Sequence, residues 1–166
     1  VLGNVEHVPF CAYQKNLKLN FIVPVVLTQN VLDKMKKKKS GQIINLLSGA
    51  GKRGLPGASS YCASKFALDA FTESLRVEVY KYNIDVISIS PGLVKTELEK
   101  RKKIYGTFKE TFSFGSKKSA NYVAKQIVKA SLKRKRSVIL SYKTLLGIYL
   151  NFFFPTFLDK FLSKKI

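Results

Sequence analysis

Three side chains that could exchange a proton lie between residues 48 and 65 of this 166-residue chain. Tyr61 and Lys65 stand four residues apart at the start of an apolar-periodic run, so on a helix they share one face, one turn apart. An isolated tyrosine titrates near ~10, and a fixed cation a few ångströms away favours the phenolate. We therefore expect Lys65 to lower the pKa of Tyr61 and make it a proton donor and acceptor near neutral pH.

Ser48 precedes Tyr61 by thirteen residues and follows the apolar run Ile43 to Leu47. A buried strand over that run would be followed by a loop at the carboxyl edge of a sheet, where open α/β sheets bind ligands. The loop over residues 48–57 holds four glycines and a proline, so its backbone can approach a ligand closely. A Tyr-x-x-x-Lys spacing alone also occurs on solvated helix surfaces, so the interpretation depends on the conjunction with Ser48 and the surrounding elements.

Apolar runs of strand length alternate with longer runs of helical period. Strands separated by such helices indicate parallel crossovers and an α/β layer fold of one domain. The first predicted elements are a loop over 1–14, a helix over 14–38 that Pro24 kinks or shifts by a turn, a strand over 42–47, and a helix over 58–81 with Ser59 or Ser60 as N-cap. They are followed by a strand over 85–90 that Pro91 and Gly92 stop, a loop or short helix over 93–116, a helix over 119–132 with a serine N-cap, and a strand over 137–141.

The formal net charge is +20, from 30 lysines and arginines against 10 acidic residues. Such a charge raises nucleic acid or an anionic membrane as partners. The cations fall in short clusters at the ends of predicted elements, where they are solvated and favourable, and aromatic and basic residues do not interleave. We predict no nucleic-acid partner. One histidine and two cysteines leave no metal cluster and no Ser-His-Asp set, and they favour a reduced compartment.

Taken together, these motifs resemble the short-chain dehydrogenase/reductase family over residues 1 to about 140. The resemblance rests on the strand, Ser48, the thirteen-residue step to Tyr61-x-x-x-Lys65, the long helix, the second strand and the Pro91-Gly92 pair. It implies a Rossmann-like doubly wound parallel sheet. It also implies hydride transfer between a nicotinamide coenzyme and a carbonyl or secondary alcohol.

The resemblance assigns a role to each catalytic residue. Ser48 would polarise the substrate oxygen, and Tyr61 would pass a proton to or from that oxygen. Lys65 would hold the nicotinamide ribose and lower the Tyr61 pKa. Asn20 matches the helix asparagine that organises the water of a proton relay to the lysine.

The resemblance also implies a coenzyme site and partners. NAD(P) is the implied coenzyme, with NADP slightly favoured, and no metal is implied. A small hydrophobic carbonyl or alcohol is the implied substrate, and the first two helices match a pair that family members use for homo-oligomers. The residues that would contact the coenzyme are Tyr61, Lys65, Pro91, Gly92, Val94 and Thr96.

The chain departs from the family in one respect. The family's first βαβ unit, whose Gly-rich turn seats the pyrophosphate at a helix N-terminus, has no match here. We therefore interpret the chain as the C-terminal part of a longer enzyme, whose N-terminal βαβ half is missing. An alternative is a non-catalytic remnant that acts through protein or membrane binding.

The segment 142–166 is predicted as a hydrophobic, basic tail after a partial domain over 1–141. Its most apolar stretch, residues 145–158, is shorter than the ~20 residues of a spanning helix, and Pro155 interrupts it. Two interpretations stay open, a packing or dimer-contact segment and an interfacial membrane anchor assisted by flanking lysines. The tail resembles that of a membrane-associated branch of the family that includes the 11-beta-hydroxysteroid dehydrogenases. That branch suggests a lipid-like substrate and an intracellular location, with the endoplasmic reticulum membrane as one candidate.

Overall fold

A computed structural model of the chain describes residues 1–97, 101–108 and 117–164. The strands are β1 (Gly41–Leu46), β2 (Ile84–Ser90), β3 (Val94–Lys95), β4 (Lys118–Ser119) and β5 (Ser137–Ile139). The helices are α1 (Phe10–Leu17), a π-helical segment (Lys18–Ile22), α2 (Val23–Lys38), a 3-10 turn (Gly49–Gly51), α3 (Ser59–Val79), a second 3-10 turn (Tyr80–Tyr82), α4 (Ala120–Leu132), α5 (Tyr142–Phe153) and α6 (Pro155–Ser163).

The main sheet is parallel and has the order β1-β2-β5. Gly41 pairs with Ile84 and Leu46 with Ile89, while Ser90 pairs with Ile139, so all three strands end near one edge. This arrangement confirms the predicted α/β fold with a parallel sheet. A second, short parallel pair joins β3 to β4, which the sequence did not predict.

Helices cover both faces of the main sheet because its strands are apolar on both sides. Ile43 and Val86 pack with Leu75 and Val79 of α3, while Ile87 and Ile89, whose side chains point the other way, pack with Ala130 of α4. Leu32 and Met35 of α2 join the first cluster. The β-branched side chains therefore lie in a three-layer, doubly wound core.

The first helix differs from its prediction at its N-terminus. It begins at Phe10, within the predicted loop over 1–14, and Pro9 in extended conformation precedes it. The helix continues to Lys38 through the π-helical segment, and Pro24 lies in the first turn of α2 directly after that segment. A wider turn before the proline accommodates the missing amide hydrogen, so the chain stays helical across it.

The predicted caps of α3 and α4 have opposite outcomes. Neither Ser59 nor Ser60 caps α3, whose N-cap is Ala58, because both hydroxyls are engaged by side chains of the first helix. The serine cap of α4 is confirmed, since the Ser119 hydroxyl accepts from the Tyr122 amide at 3.1 Å. The predicted loop or short helix over 93–116 lies partly outside the described residues.

The C-terminal helices α5 and α6 follow β5 and meet at an angle of 119°. Within the described residues, no single helix is both long enough and apolar enough to cross a membrane. Together α5 and α6 meet both requirements, but they form a bent pair. Many of their large apolar side chains are exposed, including those of Phe152, Phe153 and Phe157. The division of the chain at residue 141 stays a prediction.

Candidate active site

The site lies where the three strands of the main sheet end. Ser48 follows β1, Gly92 follows β2, and Ser141 follows β5 as the N-cap of α5. Because the strands are parallel, their carboxyl ends bring these three segments to the same edge. This is the edge at which ligands bind in open α/β sheets.

Ser48 is held by the turn that follows it. Its hydroxyl oxygen accepts a hydrogen bond from the Ala50 amide at 3.2 Å, which caps the 3-10 turn Gly49–Gly51. A hydroxyl has two acceptor sites and one donor, so this cap leaves it able to interact with a second group. The Ser48 side chain lies close enough to Tyr61 to lower the pKa of the Tyr61 hydroxyl.

Tyr61 lies in the first turn of α3 and is half-buried. Burial raises the pKa of its hydroxyl above the ordinary tyrosine value, and the Ser48 side chain only partly opposes that shift. The expectation that Lys65 lowers this pKa is therefore wrong for the chain by itself. Desolvation disfavours the phenolate more than its neighbours favour it.

Lys65 lies one turn after Tyr61 on the same face of α3, as predicted. Its Nζ donates to the Leu46 carbonyl oxygen at 2.8 Å and lies 5.9 Å from the centroid of the Tyr61 ring. Burial lowers the pKa of this ammonium. The Lys65 ammonium therefore joins the end of β1 to α3. Burial favours the neutral forms of both Lys65 and Tyr61.

A glycine allows the close approach of the serine loop to this helix. A β-carbon added at Gly51 would lie 2.8 Å from the carbonyl oxygen of Lys65, closer than such atoms can pack. The absence of a side chain at Gly51 thus sets the distance between the loop that carries Ser48 and the helix that carries Tyr61 and Lys65.

Asn20 lies in the π-helical segment, a type of helical irregularity that is frequent at functional sites. Its Nδ2 donates to the Ser64 hydroxyl oxygen at 3.0 Å, and that hydroxyl donates to the Tyr61 carbonyl oxygen at 2.8 Å. Ser64 is fully buried and directly precedes Lys65. The structure thus brings Asn20 to the catalytic helix, while its role in a water relay stays a prediction.

The contact at Asn20 belongs to a row of three that the sequence analysis missed. Tyr13 and Ser59 are hydrogen-bonded at 2.6 Å, and Asn16 donates to Ser60 at 2.9 Å. The polar residues 13, 16 and 20 recur at steps of three and four, as do the serines 60 and 64. This helical spacing of polar residues within an apolar pattern was the signal that could have found the contact between the two helices.

Only part of the segment after β2 that is predicted to contact the coenzyme lies at the site. Gly92 has a φ of +75°, which favours glycine, and an added β-carbon would lie 3.0 Å from the Ser141 β-carbon. Pro91 is half-buried beside it. Val94 lies in β3, and Thr96 is exposed beyond that strand. The coenzyme contacts expected of these residues stay a prediction.

A pocket of about 130 Å³ opens beside Ser48. Its walls come from the loops after β1 and β2 and from the helices α5 and α6, a contribution that the sequence did not predict. Apolar side chains form most of its lining, with Arg53 and Lys143 as the charged members. The lining residues are Ser48, Gly49, Ala50, Arg53, Leu55, Gly92, Leu93, Lys143, Thr144, Gly147, Ile148, Leu158 and Leu162.

Residues 2–104 match a family model described as short chain dehydrogenase. The chain is 36% identical to dehydrogenase/reductase SDR family member 7B of Bos taurus over 130 residues, which cover 75% of this chain and 39% of that protein. It is 32% identical to a Drosophila melanogaster dehydrogenase/reductase SDR family protein 7-like over 157 residues, which cover 91% of this chain and 48% of the relative. The chain thus spans less than half the length of these curated relatives.

Solved structures show the same fold. A short chain dehydrogenase from Burkholderia cenocepacia in complex with NADP superposes with a TM-score of 0.78 and 21% identity, covering 95% of this chain and 62% of that one. A 4-hydroxyisoleucine dehydrogenase complexed with NADH superposes with a TM-score of 0.68 and 25% identity, covering 86% of this chain and 64% of that one.

Proposed function

Because the chain belongs to the short-chain dehydrogenase/reductase family, we propose that it supplies the catalytic half of an NAD(P)-dependent oxidoreductase that interconverts a carbonyl and a secondary alcohol. The observation that carries this proposal is the placement of Ser48, Tyr61 and Lys65 together at the carboxyl edge of the sheet. The coenzyme would supply or accept the hydride when it is bound. The chain's own residues would handle the proton.

Each of the three residues has a role that its contacts support. The Ser48 hydroxyl, which lies close enough to Tyr61 to affect its pKa, would orient the substrate oxygen between the two groups. Tyr61 would donate the proton to that oxygen during reduction and recover it during oxidation. Its raised pKa suits a proton donor, because the group is held in the phenol form. Lys65 lies close enough to stabilise developing charge on the phenol.

The residues present fit the ribose end of a nicotinamide coenzyme. The Lys65 ammonium and the Tyr61 phenol offer hydrogen bonds to vicinal hydroxyls from one helix face at the ligand edge. The named relatives include complexes with NADP and with NADH, so both coenzymes are open, and a preference for NADP is part of the proposal.

The pyrophosphate end would need a further segment. We propose that a Gly-rich βαβ unit N-terminal to residue 1 completes the sheet. Two observations support this. The chain spans less than half of its curated relatives, and among the described strands β1 pairs on one side only, with β2. An unpaired strand edge readily takes another strand.

The lining of the pocket supports a lipid-like substrate. Leu55, Leu93, Ile148, Leu158 and Leu162 present apolar surface within the same cavity as Ser48. Apolar area removed from water stabilises binding by roughly 25 cal/mol per Å². A substrate with an apolar body beside its carbonyl or alcohol would therefore be preferred over a small polar one.

Turnover by the protein that carries this chain together with its coenzyme-binding segment tests the proposal. We expect reduction of an apolar ketone or aldehyde to consume NADPH. The loss of nicotinamide absorbance measures this consumption. The purified 166-residue chain should bind NADPH weakly. Absence of turnover with both coenzymes over a panel of apolar carbonyls, or tight NADPH binding by the chain alone, would contradict it.

We further propose that the C-terminal helices rest on an anionic membrane surface, with the endoplasmic reticulum as a candidate location. Tyr149, Phe152, Phe153, Phe154 and Phe157 are each more than half exposed, on two helices that no described element covers from that side. The flanking cations Lys143, Lys160 and Lys164 and the net charge of +20 complement anionic headgroups.

Flotation with vesicles tests this membrane proposal. We expect the protein to float with vesicles that contain anionic lipid, to be partly released by high salt, and to lose binding when Phe152, Phe153 and Phe157 are replaced by serine. Replacement of the exposed Val77 at the end of α3 and of Tyr80 in the 3-10 turn after it is the matched control and should have no effect. Undiminished flotation of the triple variant would contradict the proposal.

A further inference from the structure

Arg53 joins the loop after Ser48 to both C-terminal helices. Its Nη1 donates to the Asn151 Oδ1 at 2.6 Å, and its Nη2 forms an ion pair with the Asp159 carboxylate. Asn151 lies in α5 and Asp159 in α6, on either side of the 119° bend. The planar fork of a guanidinium can hold two acceptors in fixed directions, so one side chain fixes both helices to the catalytic loop.

The same side chain lines the pocket beside Ser48. The opposite walls come from the helices that Arg53 holds, through Ile148 of α5 and Leu158 and Leu162 of α6. Leu158 is 8% exposed and Leu162 is 2% exposed, although most large apolar residues of these helices are exposed. The wall of the pocket therefore exists only while α5 and α6 lie against the loop.

The first turn of α5 also packs tightly on this loop. A β-carbon added at Gly49 would lie 2.6 Å from the Thr144 Cγ2, so the loop and α5 are in direct contact. Asn151 lies two turns after Thr144 in α5. Arg53 thus joins the loop to α5 at a second point, and to α6 through Asp159.

The position of Arg53 is determined by these tail contacts. Its side chain is 22% exposed, and its Nε is buried with no hydrogen-bond partner among the described residues. A buried donor without a partner costs free energy, which release of the tail would relieve by admitting water. The contacts with Asn151 and Asp159 offset that cost, as expected of a clamp that can open.

We propose that Arg53 is a positioning residue that fastens α5 and α6 as the wall of the substrate pocket and thereby sets the preference for apolar substrates. The expected effect on turnover rests on the proposed function. The fastening of α5 and α6 by Arg53 does not depend on it. With the clamp closed, the apolar body of a substrate is enclosed next to Ser48. With the clamp open, the pocket loses the wall formed by Ile148, Leu158 and Leu162, while Ser48, Tyr61 and Lys65 remain in place.

Charge reversal tests the clamp in the complete protein. Arg53→Glu places a carboxylate opposite that of Asp159, and Arg53→Glu with Asp159→Arg restores an opposite-charge pair in the reverse order. Lys37→Glu makes the same change of charge at an exposed lysine far along the chain and is the matched control. A melting curve for each variant establishes that it is folded.

Amide hydrogen exchange is the direct measurement. We expect Arg53→Glu to raise exchange in residues 145–163 by roughly tenfold, the change that about 1.4 kcal/mol produces, with no change in β2. The double variant should recover protection and Lys37→Glu should match the parent protein. Unchanged exchange in Arg53→Glu, or no recovery in the double variant, would overturn the clamp.

Kinetics and probe binding test the consequence. We expect Arg53→Glu to raise KM for an apolar ketone while kcat changes little, and to weaken binding of a fluorescent long-chain alcohol. Equal KM and equal probe affinity in the variant and the parent would overturn the assignment of selectivity. If the parent protein shows no turnover, the proposed function fails, and hydrogen exchange and probe binding still decide the clamp.

Discussion

At the scale of single residues, the site is a phenol and an ammonium whose environments disfavour charge on both. Burial raises the pKa of Tyr61 and lowers the pKa of Lys65. In the chain by itself, Tyr61 is therefore a phenol at neutral pH. A net lowering of this pKa would require groups in addition to those of this chain, such as the coenzyme that we propose.

A spectroscopic titration checks the direction of this shift. The chain contains eight tyrosines, so the difference between the titration of the parent chain and that of Tyr61→Phe isolates the phenolate signal of Tyr61. Because the folded pKa is raised, we expect that signal to develop above the ordinary value of about 10. Because the folded pKa of Tyr61 is higher than its unfolded pKa, the free energy of unfolding falls as the pH rises from the unfolded to the folded pKa. A transition below pH ~10 would contradict the account of Tyr61.

The proximity of Ser48, Tyr61 and Lys65 could be predicted from the sequence because it depends on their spacing. A four-residue step on a helix and a serine after a buried strand were enough to select Ser48, Tyr61 and Lys65. The sign of the Tyr61 pKa shift was not predictable, since desolvation depends on packing between segments distant in the sequence. Arg53 carried no local signal either, because its partners lie 98 and 106 residues away.

At the scale of elements, the site depends on how closely the serine loop approaches α3. Strand and helix positions were predictable from periodicity, and the parallel sheet followed from their alternation. The π-helical segment and the start of the first helix at Phe10 were missed, because apolar period alone does not show where tertiary contacts such as Asn20 to Ser64 widen a helix.

Substitution of Gly51 tests the approach of the loop to the helix. Gly51→Ala would place a β-carbon 2.8 Å from the backbone carbonyl of Lys65, so either the loop or the helix must shift. We expect a loss of about 1 to 3 kcal/mol in the free energy of unfolding and a fall in turnover. Denaturant titration and steady-state assay measure the two effects.

Gly54→Ala is the matched control for this prediction. Gly54 lies in the same loop, and a β-carbon there would meet nothing within 4 Å. We expect no loss of stability or turnover in this variant. Equal behaviour of the two alanine variants would mean that the contact at Gly51 does not set the geometry of the site.

At the scale of the whole molecule, the C-terminal helices combine three features. They line the pocket beside Ser48, they are fixed by Arg53, and they expose a row of aromatic side chains. The sequence left a packing segment and a membrane anchor as alternatives. The side of α5 and α6 that lines the pocket suits packing, and the side that exposes aromatic residues suits a membrane anchor. Self-association through the first two helices stays a prediction.

The most direct test of the central claim is the turnover of Tyr61→Phe in the complete protein. Removal of the Tyr61 hydroxyl takes away the group that we propose passes the proton, so we expect kcat to fall by ~10²-fold or more. Tyr80→Phe removes a hydroxyl just beyond the opposite end of α3, at a residue that is 84% exposed, and it should retain full activity. Turnover of Tyr61→Phe equal to that of the parent protein would contradict the assignment of this site.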